Sequence, residues 1–393
     1  MTYQHYQRYN NNKFKKEGEN MKFTIEKNII LEALNNVTRA LSQKLTIPVL
    51  SGIKFELNDE GLYLTASDSE LTIKCFIPEK DIKHNEGNGI VIIQSKYILD
   101  IIKKMPSDII NFEKNDELKI KISTDSNEYM LNCFNPDDYP NIVIEESKES
   151  IQVQAQVLKE IINQTSYAMS TQEVRPLLTG LNMKITGDIL ECIATDSYRL
   201  SKKVVNVENS KEINMNVVIP GRNINELEKI LEDTDKIVEI HIFNNKLLFI
   251  YNNIMIQSNL LSGQYPQTSH FIPNDFAYMI NLSLRDYFDA IDRAALLAQN
   301  KDKNIVKMKV QDKEMVISSG AVEIGKTEET LKIDSNKKEK IEVSFSSKYM
   351  LDALKVIKDD NILLLMNDDD KPILIKPVND ENLTELILPI KTF

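Results

Sequence analysis

Apolar residues recur along this chain at two spacings, and the two alternate in a fixed order. At helical spacing, SKYILDIIKKM places Ile98, Ile101, Ile102 and Met105 on one face. GRNINELEKIL does the same with Ile224, Leu227 and Leu231, and SSKYMLDALKVI with Met350, Leu354 and Ile357. Anchored on Ile98, Ile224 and Met350, these predicted helices stand 126 residues apart each time. An earlier helix precedes each of them: LEALNNVTRAL from Leu31, LKEIINQTSYAM from Leu158 and FDAIDRAALLA from Phe288. Between the helices the spacing changes to alternating strands around Asn, Asp or Gly turns, which predicts hairpins. One set reads IKFELNDEGLYLTASD, LNMKITGDILECIATD and VKMKVQDKEMVISSG. The other reads INFEKNDELKIKIS, EIHIFNNKLLFIYN and LLLMNDDDKPILIK. DDYP and GQYP, ending at Pro140 and Pro266, repeat the 126-residue interval once more.

A repeat of this length sets the architecture before anything else does. The pattern predicts an α+β chain of three tandem similar domains, each with two helices and roughly eight strands. Domain boundaries fall at 21–146, 147–272 and 273–393, with the polar or Pro-bearing linkers SKESIQ and IPNDFA at the junctions. Residues 1–20 are polar and read as a disordered extension ahead of Met21. In each half-domain a helix buries its apolar stripe on an alternating sheet. Similar domains on short linkers form an arc whose ends are open sheet edges, and open edges need a partner. A second copy joined head to tail would close the arc into a ring and pair both edges.

Charge qualifies this picture more than it redirects it. With 48 basic and 59 acidic residues the formal net charge is −11, and nucleic-acid binders are usually basic. A local basic surface can nevertheless sit on an acidic body. Lys96, Lys103 and Lys104 lie on the polar side of the first unit's second helix, with Arg222 and Lys229 in the next unit. Arg285, Arg293, Lys348, Lys355 and Lys358 follow in the third, whereas Glu226, Glu228 and Glu232 outweigh the basic residues of the second. Charged helix faces are ordinarily just solvated, so this distribution lends modest support to a DNA-facing surface.

Catalytic chemistry is not legible. His5, His84, His241 and His270 are scattered, and Cys75, Cys133 and Cys192 show no CxxC pairing, so no zinc site or disulfide framework is indicated. No phosphate-binding loop motif is present. Asp368, Asp369 and Asp370 form the densest acidic cluster, but they sit at a predicted hairpin turn and read as solvated. The expectation is a non-enzymatic protein with no cofactor and no metal, and a cytoplasmic one, since no signal peptide or membrane-length apolar run occurs.

Four segments, in this order and spacing on the repeat, give the chain its likeness to a known family. They are ATDSYRLS (194–201), VVIPGRNINEL (217–227), LLSGQYPQTSHFIP (260–273) and the terminal LILPIKTF (386–393). Over essentially all of Met21–Phe393 the chain resembles the bacterial sliding clamp, the beta subunit of DNA polymerase III. The resemblance implies the DNA clamp fold, with helices lining the inside and sheets the outside of a ring formed by a head-to-tail homodimer. It implies topological, sequence-independent retention on duplex DNA, and so a processivity factor for DNA replication and repair. Lys44 and Gln172 would approach the DNA along with the helical lysines and Arg222. Pro176 and Leu177 stand where the family often has aromatic residues.

The same resemblance implies a hydrophobic peptide-binding groove between the second and third units. It would hold the polymerase catalytic subunit, the clamp loader and other proteins carrying clamp-binding peptides. The matching positions are Leu178, Thr195, Ser197, Tyr198, Arg199 and Leu200, then Pro266 and Phe271. The tail adds Leu386, Ile387, Leu388, Pro389 and Ile390. Tyr198 stands where His is common and Lys391 where Arg is frequent. Taken alone, ATDSYRLS reads as a hairpin end in which Asp196 satisfies backbone donors. For the dimer contact the family suggests Tyr129 and Leu131 of one copy against Leu296 and Leu297 of the other. A repeat scaffold that binds proteins without encircling DNA would account for the triplication and the acidic charge equally well.

Overall fold

The structure is a computed structural model that describes residues 21–42, 47–116, 118–209, 212–298, 304–321 and 325–391. Lys44 and the extension 1–20 lie outside the described residues. Among those described there are six α-helices, two per repeat: α1 Lys27–Val37, α2 Ser95–Lys104, α3 Ala155–Ser166, α4 Gly221–Ile230, α5 Leu284–Ala295 and α6 Ser347–Lys355. All six predicted hairpins form, from Gly52–Asn58 with Gly61–Ser67 through Asn361–Met366 with Ile373–Pro377.

The turn chemistry explains why these segments fold back. In the first hairpin Asn58 Oδ1 accepts from the Glu60 and Gly61 amides at 2.9 and 3.2 Å. Gly61 follows at φ +147°, and a Cβ there would stand 2.2 Å from the Ile77 carbonyl oxygen, so only glycine fits. The helices bury the faces that the spacing predicts. Ile98, Ile102 and Met105 are buried in and after α2, Ile224 and Leu227 in α4, and Met350 and Leu354 in α6.

Contacts divide the chain into two compact units, residues 21–145 with 252–257, and residues 146–251 with 258–391. In the first, α1 and α2 pack together and α1 lies against the strands Gly61–Ser67 and Leu71–Pro78. Phe23 and Phe112 stack with ring centroids 4.6 Å apart in its core. The second unit holds repeats two and three in one body. Its nine-stranded sheet runs Met215–Pro220, Gly180–Thr186, Ile189–Thr195, Arg199–Asn206, Leu383–Ile387, Ile373–Pro377, Asn361–Met366, Tyr278–Ser283 and Asp334–Ser335. The seam is the antiparallel pair Arg199–Asn206 with Leu383–Ile387, in register Arg199↔Ile387 to Lys203↔Leu383. The C-terminal strand of repeat three thereby completes the sheet of repeat two, and the site is built beside this seam.

Candidate functional site

ATDSYRLS turns the chain from the strand Ile189–Thr195 into the strand Arg199–Asn206. Asp196 Oδ1 accepts from the amides of Tyr198 and Arg199 at 2.9 and 3.0 Å, and Thr195 Oγ1 accepts from the Ser197 amide at 3.1 Å. The same Thr195 hydroxyl donates to the Arg199 carbonyl at 2.6 Å. Ser197 is driven to φ 79°, a left-handed conformation that a tight side-chain-capped turn can hold. Tyr198 is thereby thrust outward and remains 63% exposed. The local turn chemistry read from the sequence thus shapes the segment to which the resemblance assigns a groove.

Beside this turn lies a cavity of about 430 Å³. One wall is Thr195, Ser197, Tyr198, Arg199 and Leu200, another is Leu178, and the loop residues Pro266 and Phe271 close a third. Leu386 and Leu388 from the terminal strand and tail complete it. Leu200 and Leu386 of this lining join Ile193, Leu365 and Leu374 in a compact buried cluster. Phe271 at 54% and Leu388 at 36% stay exposed, so the lining offers apolar surface to solvent.

Three of the tail residues assigned by the resemblance are not among those that line this cavity. Successive side chains of a strand point to opposite faces. Leu386 therefore joins the groove cluster while Ile387, 0% exposed, packs into the core beneath α5 and α6. Pro389 and Ile390 are also absent from the lining, and the Ile390 amide is tied to the Ser344 carbonyl at 2.7 Å. In their place the structure brings in Arg175, Pro176 and Leu177. The signal for Leu177 is a glycine: Gly263, at φ +131°, would place a Cβ 2.9 Å from the Leu177 side chain. Only a residue without a side chain lets the GQYP loop close over the short turn Pro176–Thr179.

Arg199 is a lining residue whose charge is already spent. Its guanidinium donates to Asp196 at 3.1 Å and to Asp352 of α6 at 2.7 Å. It also lies 5.2 Å from the ring centroid of Tyr167 and 4.6 Å from that of Tyr349. Tyr349 in turn stacks with Tyr198, centroids 6.4 Å apart. Behind the groove, Tyr167 donates to the carboxyl of Glu385, which is wholly buried. Burial drives the Glu385 pKa well above the ordinary carboxylate range, against the opposing pull of the Tyr167 hydrogen bond and of the Arg199 and Lys203 charges. Arg175, at the outer rim, donates to the Ser197 hydroxyl at 3.1 Å.

The other predicted residues lie elsewhere. Lys96, Lys103 and Lys104 are exposed on one side of α2, and Arg222 is exposed at the start of α4. Gln172 is exposed in the loop before Pro176, its amide bonded to the Ser170 hydroxyl at 3.0 Å. Two of the basic residues counted on the third unit's helix faces are engaged with carboxylates: Arg293 with Glu329 at 2.9 Å and Lys358 with Glu160 at 3.1 Å. Tyr129 and Leu296 are 40% and 68% exposed, with Leu131 and Leu297 half-buried, so none of the four is ordinary core. Tyr129 and Leu131 sit on the strand Glu128–Phe134, which pairs Lys119–Ser123 on one side. On its other side only Cys133 and Phe134 are paired, leaving an open edge among the described residues. Gly325–Lys332 is likewise the outer strand of a four-stranded sheet. Asp368, Asp369 and Asp370 are exposed at their turn, where Asp370 faces Lys371 and Lys391 at 3.9 and 3.7 Å. No helix among the described residues is long and apolar enough to cross a membrane.

An apolar groove at a strand seam, on a chain of three α+β repeats, defines a binding protein of the clamp class. Family models for the DNA polymerase III beta subunit match all three repeats: the N-terminal domain over residues 21–143, the central domain over 152–267 and the C-terminal domain over 269–391. The chain belongs to the DNA polymerase III beta subunit family, the sliding clamps, which are non-catalytic. It is 39% identical to the beta sliding clamp of Bacillus subtilis over 95% of this chain and all of that protein. Against that of Staphylococcus aureus it is 36% identical over the same shares. The crystal structure of the Bacillus subtilis DNA polymerase sliding clamp superposes with a TM-score of 0.92 at 38% identity, covering 95% of this chain and 100% of that one. The DNA polymerase III beta chain from Streptococcus pneumoniae gives 0.90 at 30%, with the same coverage.

Proposed function

We propose that two copies of this chain close head to tail into a ring around duplex DNA and tether the replicative polymerase to it. The observation that supports this reading most is the full-length likeness to a DNA polymerase sliding clamp, at a TM-score of 0.92. The open edges Glu128–Asn132 and Gly325–Lys332 suit closure, one copy's first edge pairing with the partner's second, with Tyr129, Leu131, Leu296 and Leu297 burying apolar surface at the joint. Lys96, Lys103, Lys104, Gln172 and Arg222, with Lys44, would then face the DNA and make phosphate contacts without reading bases, which leaves the ring able to slide. Domains run 21–146, 147–272 and 273–393 on this reading, and the protein works in the cytoplasm, where it meets chromosomal DNA.

The groove takes a short, extended peptide with apolar anchors, supplied by the polymerase catalytic subunit, the clamp loader or another replication or repair protein. Its apolar lining supplies affinity, and the polar rim at Arg175 and Ser197 sets register. A primer-extension assay with loader and polymerase tests the tether. Replacing Phe271 and Leu388 together by Ala is expected to shorten the products to those made without the clamp while the dimer stays intact by sedimentation. Products of wild-type length would remove the groove from the function.

A further inference from the structure

Behind the groove wall the proton count around Glu385 does not close for a carboxylate. Ser201 Oγ lies 2.8 Å from the Gln164 carbonyl and 3.0 Å from Glu385 Oε1. A hydroxyl has one proton to give. Gln164 belongs to the last turn of α3, whose carbonyls have no intrahelical donor, and it is the nearer acceptor. If Ser201 donates there, its contact with Glu385 is a hydrogen bond only when Glu385 carries the proton.

The surrounding charges agree. From the adjacent strand the facing groups are Arg199, Ser201 and Lys203; from the end of α3, Tyr167; and from α6, Asp352 beyond Arg199. The strand on the other side puts Ile375 opposite, and its one titratable residue, Lys376, alternates to the other face of the sheet. Arg199 is committed to Asp196 and Asp352, and Lys203 to Asp380, with Glu160 at 3.8 Å. Among the described residues both cations facing Glu385 are thus already engaged by more exposed carboxylates, and an unpaired buried charge is far costlier than a neutral acid.

We propose that Glu385 is a positioning residue for the groove, held as a neutral carboxyl that donates to Ser201 and accepts from Tyr167. The relay runs from Glu385 Oε1–H to Ser201 Oγ, and from Ser201 Oγ–H to the Gln164 carbonyl. It locks three elements at one point: the end of α3, the strand Arg199–Asn206 and the terminal strand Leu383–Ile387. Ser201 and Glu385 are register partners in the seam. The next residue, Leu386, lines the groove, and Leu388 follows with its amide on the Tyr198 carbonyl at 2.9 Å. Tyr167 also carries one of the two rings flanking Arg199. The relay thus sets both the tail side and the Arg199 side of the groove without touching the peptide.

This inference rests on the groove reading only for its consequence in binding, and the test separates the two. The full chain, Glu385→Gln, Glu385→Ala and Ser201→Ala are compared in two measurements: infrared difference spectra of the carboxyl C=O stretch at neutral pH, and titration of a labelled peptide carrying Leu and Phe anchors. A protonated-carboxyl band is expected in the wild type and absent from both Glu385 variants. Glu385→Gln, which offers a donor and an acceptor in the same places, is expected to keep the peptide affinity within about twofold, and Glu385→Ala to lose about tenfold. Ser201→Ala, the milder change should Glu385→Ala fail to fold, is expected to weaken the peptide and lower the carboxyl band's pKa. Absence of the band, or a Glu385→Gln loss as large as that of Glu385→Ala, overturns the proposal. No peptide binding by the wild type would refute the groove reading and the positioning role with it, leaving the neutral acid to stand or fall by its band.

Discussion

Two neighbouring residues of the tail carry opposite loads. Ile387 is fully buried among the side chains beneath α5 and α6, whereas Leu388 faces the groove and is 36% exposed. Ile387→Ala should cost about 2–5 kcal/mol of unfolding free energy, the usual range for a buried aliphatic truncation. Leu388→Ala should change stability by under about 1 kcal/mol yet weaken an apolar peptide. Urea unfolding and peptide titration on the pair check both halves, and equal destabilisation would contradict the facing assigned here. Glu385 adds a pH signature. A carboxyl whose pKa is raised on folding contributes stability that is complete below the unfolded-state value, about 4.3, and that declines as pH rises toward the folded value. The wild type should therefore lose stability relative to Glu385→Gln as pH climbs from acid to neutral. A difference of the opposite sign would mean the group folds ionised.

Helices and hairpins were the legible part of this chain, because periodicity reports which faces are buried. The stripe Ile98, Ile102 and Met105 lies where the spacing puts it, and all six hairpins form at their Asn, Asp or Gly turns. Tail parity was less accessible: LILPI is apolar at every position, so no alternation distinguishes Ile387 from its neighbours. Pairing of charges was less accessible still. Arg293 and Lys358 look like a basic helix face in the sequence, but their carboxylates, Glu329 and Glu160, come from remote segments. The relay at Glu385 joins residues 164, 167, 201 and 385, a juxtaposition no local pattern encodes. For α2 the basic face remains exposed, and replacing Lys96, Lys103 and Lys104 by Glu should impair retention on DNA and flatten its dependence on salt, since fewer phosphate contacts release fewer counterions. The cost to the helix is at most about 1 kcal/mol per position near its C-terminus, and the Lys27 ammonium still caps the Lys103 and Met105 carbonyls at 3.1 and 2.6 Å. Unchanged retention would take α2 off the DNA-facing surface.

Across the chain, a net charge of −11 and a function on DNA are reconciled if affinity does not come from charge. A ring holds DNA by closure, so its lining needs only enough positive potential to avoid repelling the phosphates, and weak contacts favour sliding. The most direct measurement is retention on nicked circular DNA, loaded with a matching clamp loader, before and after a single restriction cut. The account predicts stable retention on the circle and rapid loss once the DNA is linear, because a ring can leave only over an end. Equal retention on both forms would show ordinary surface binding and contradict it, as would failure to load under conditions where the Bacillus subtilis clamp loads.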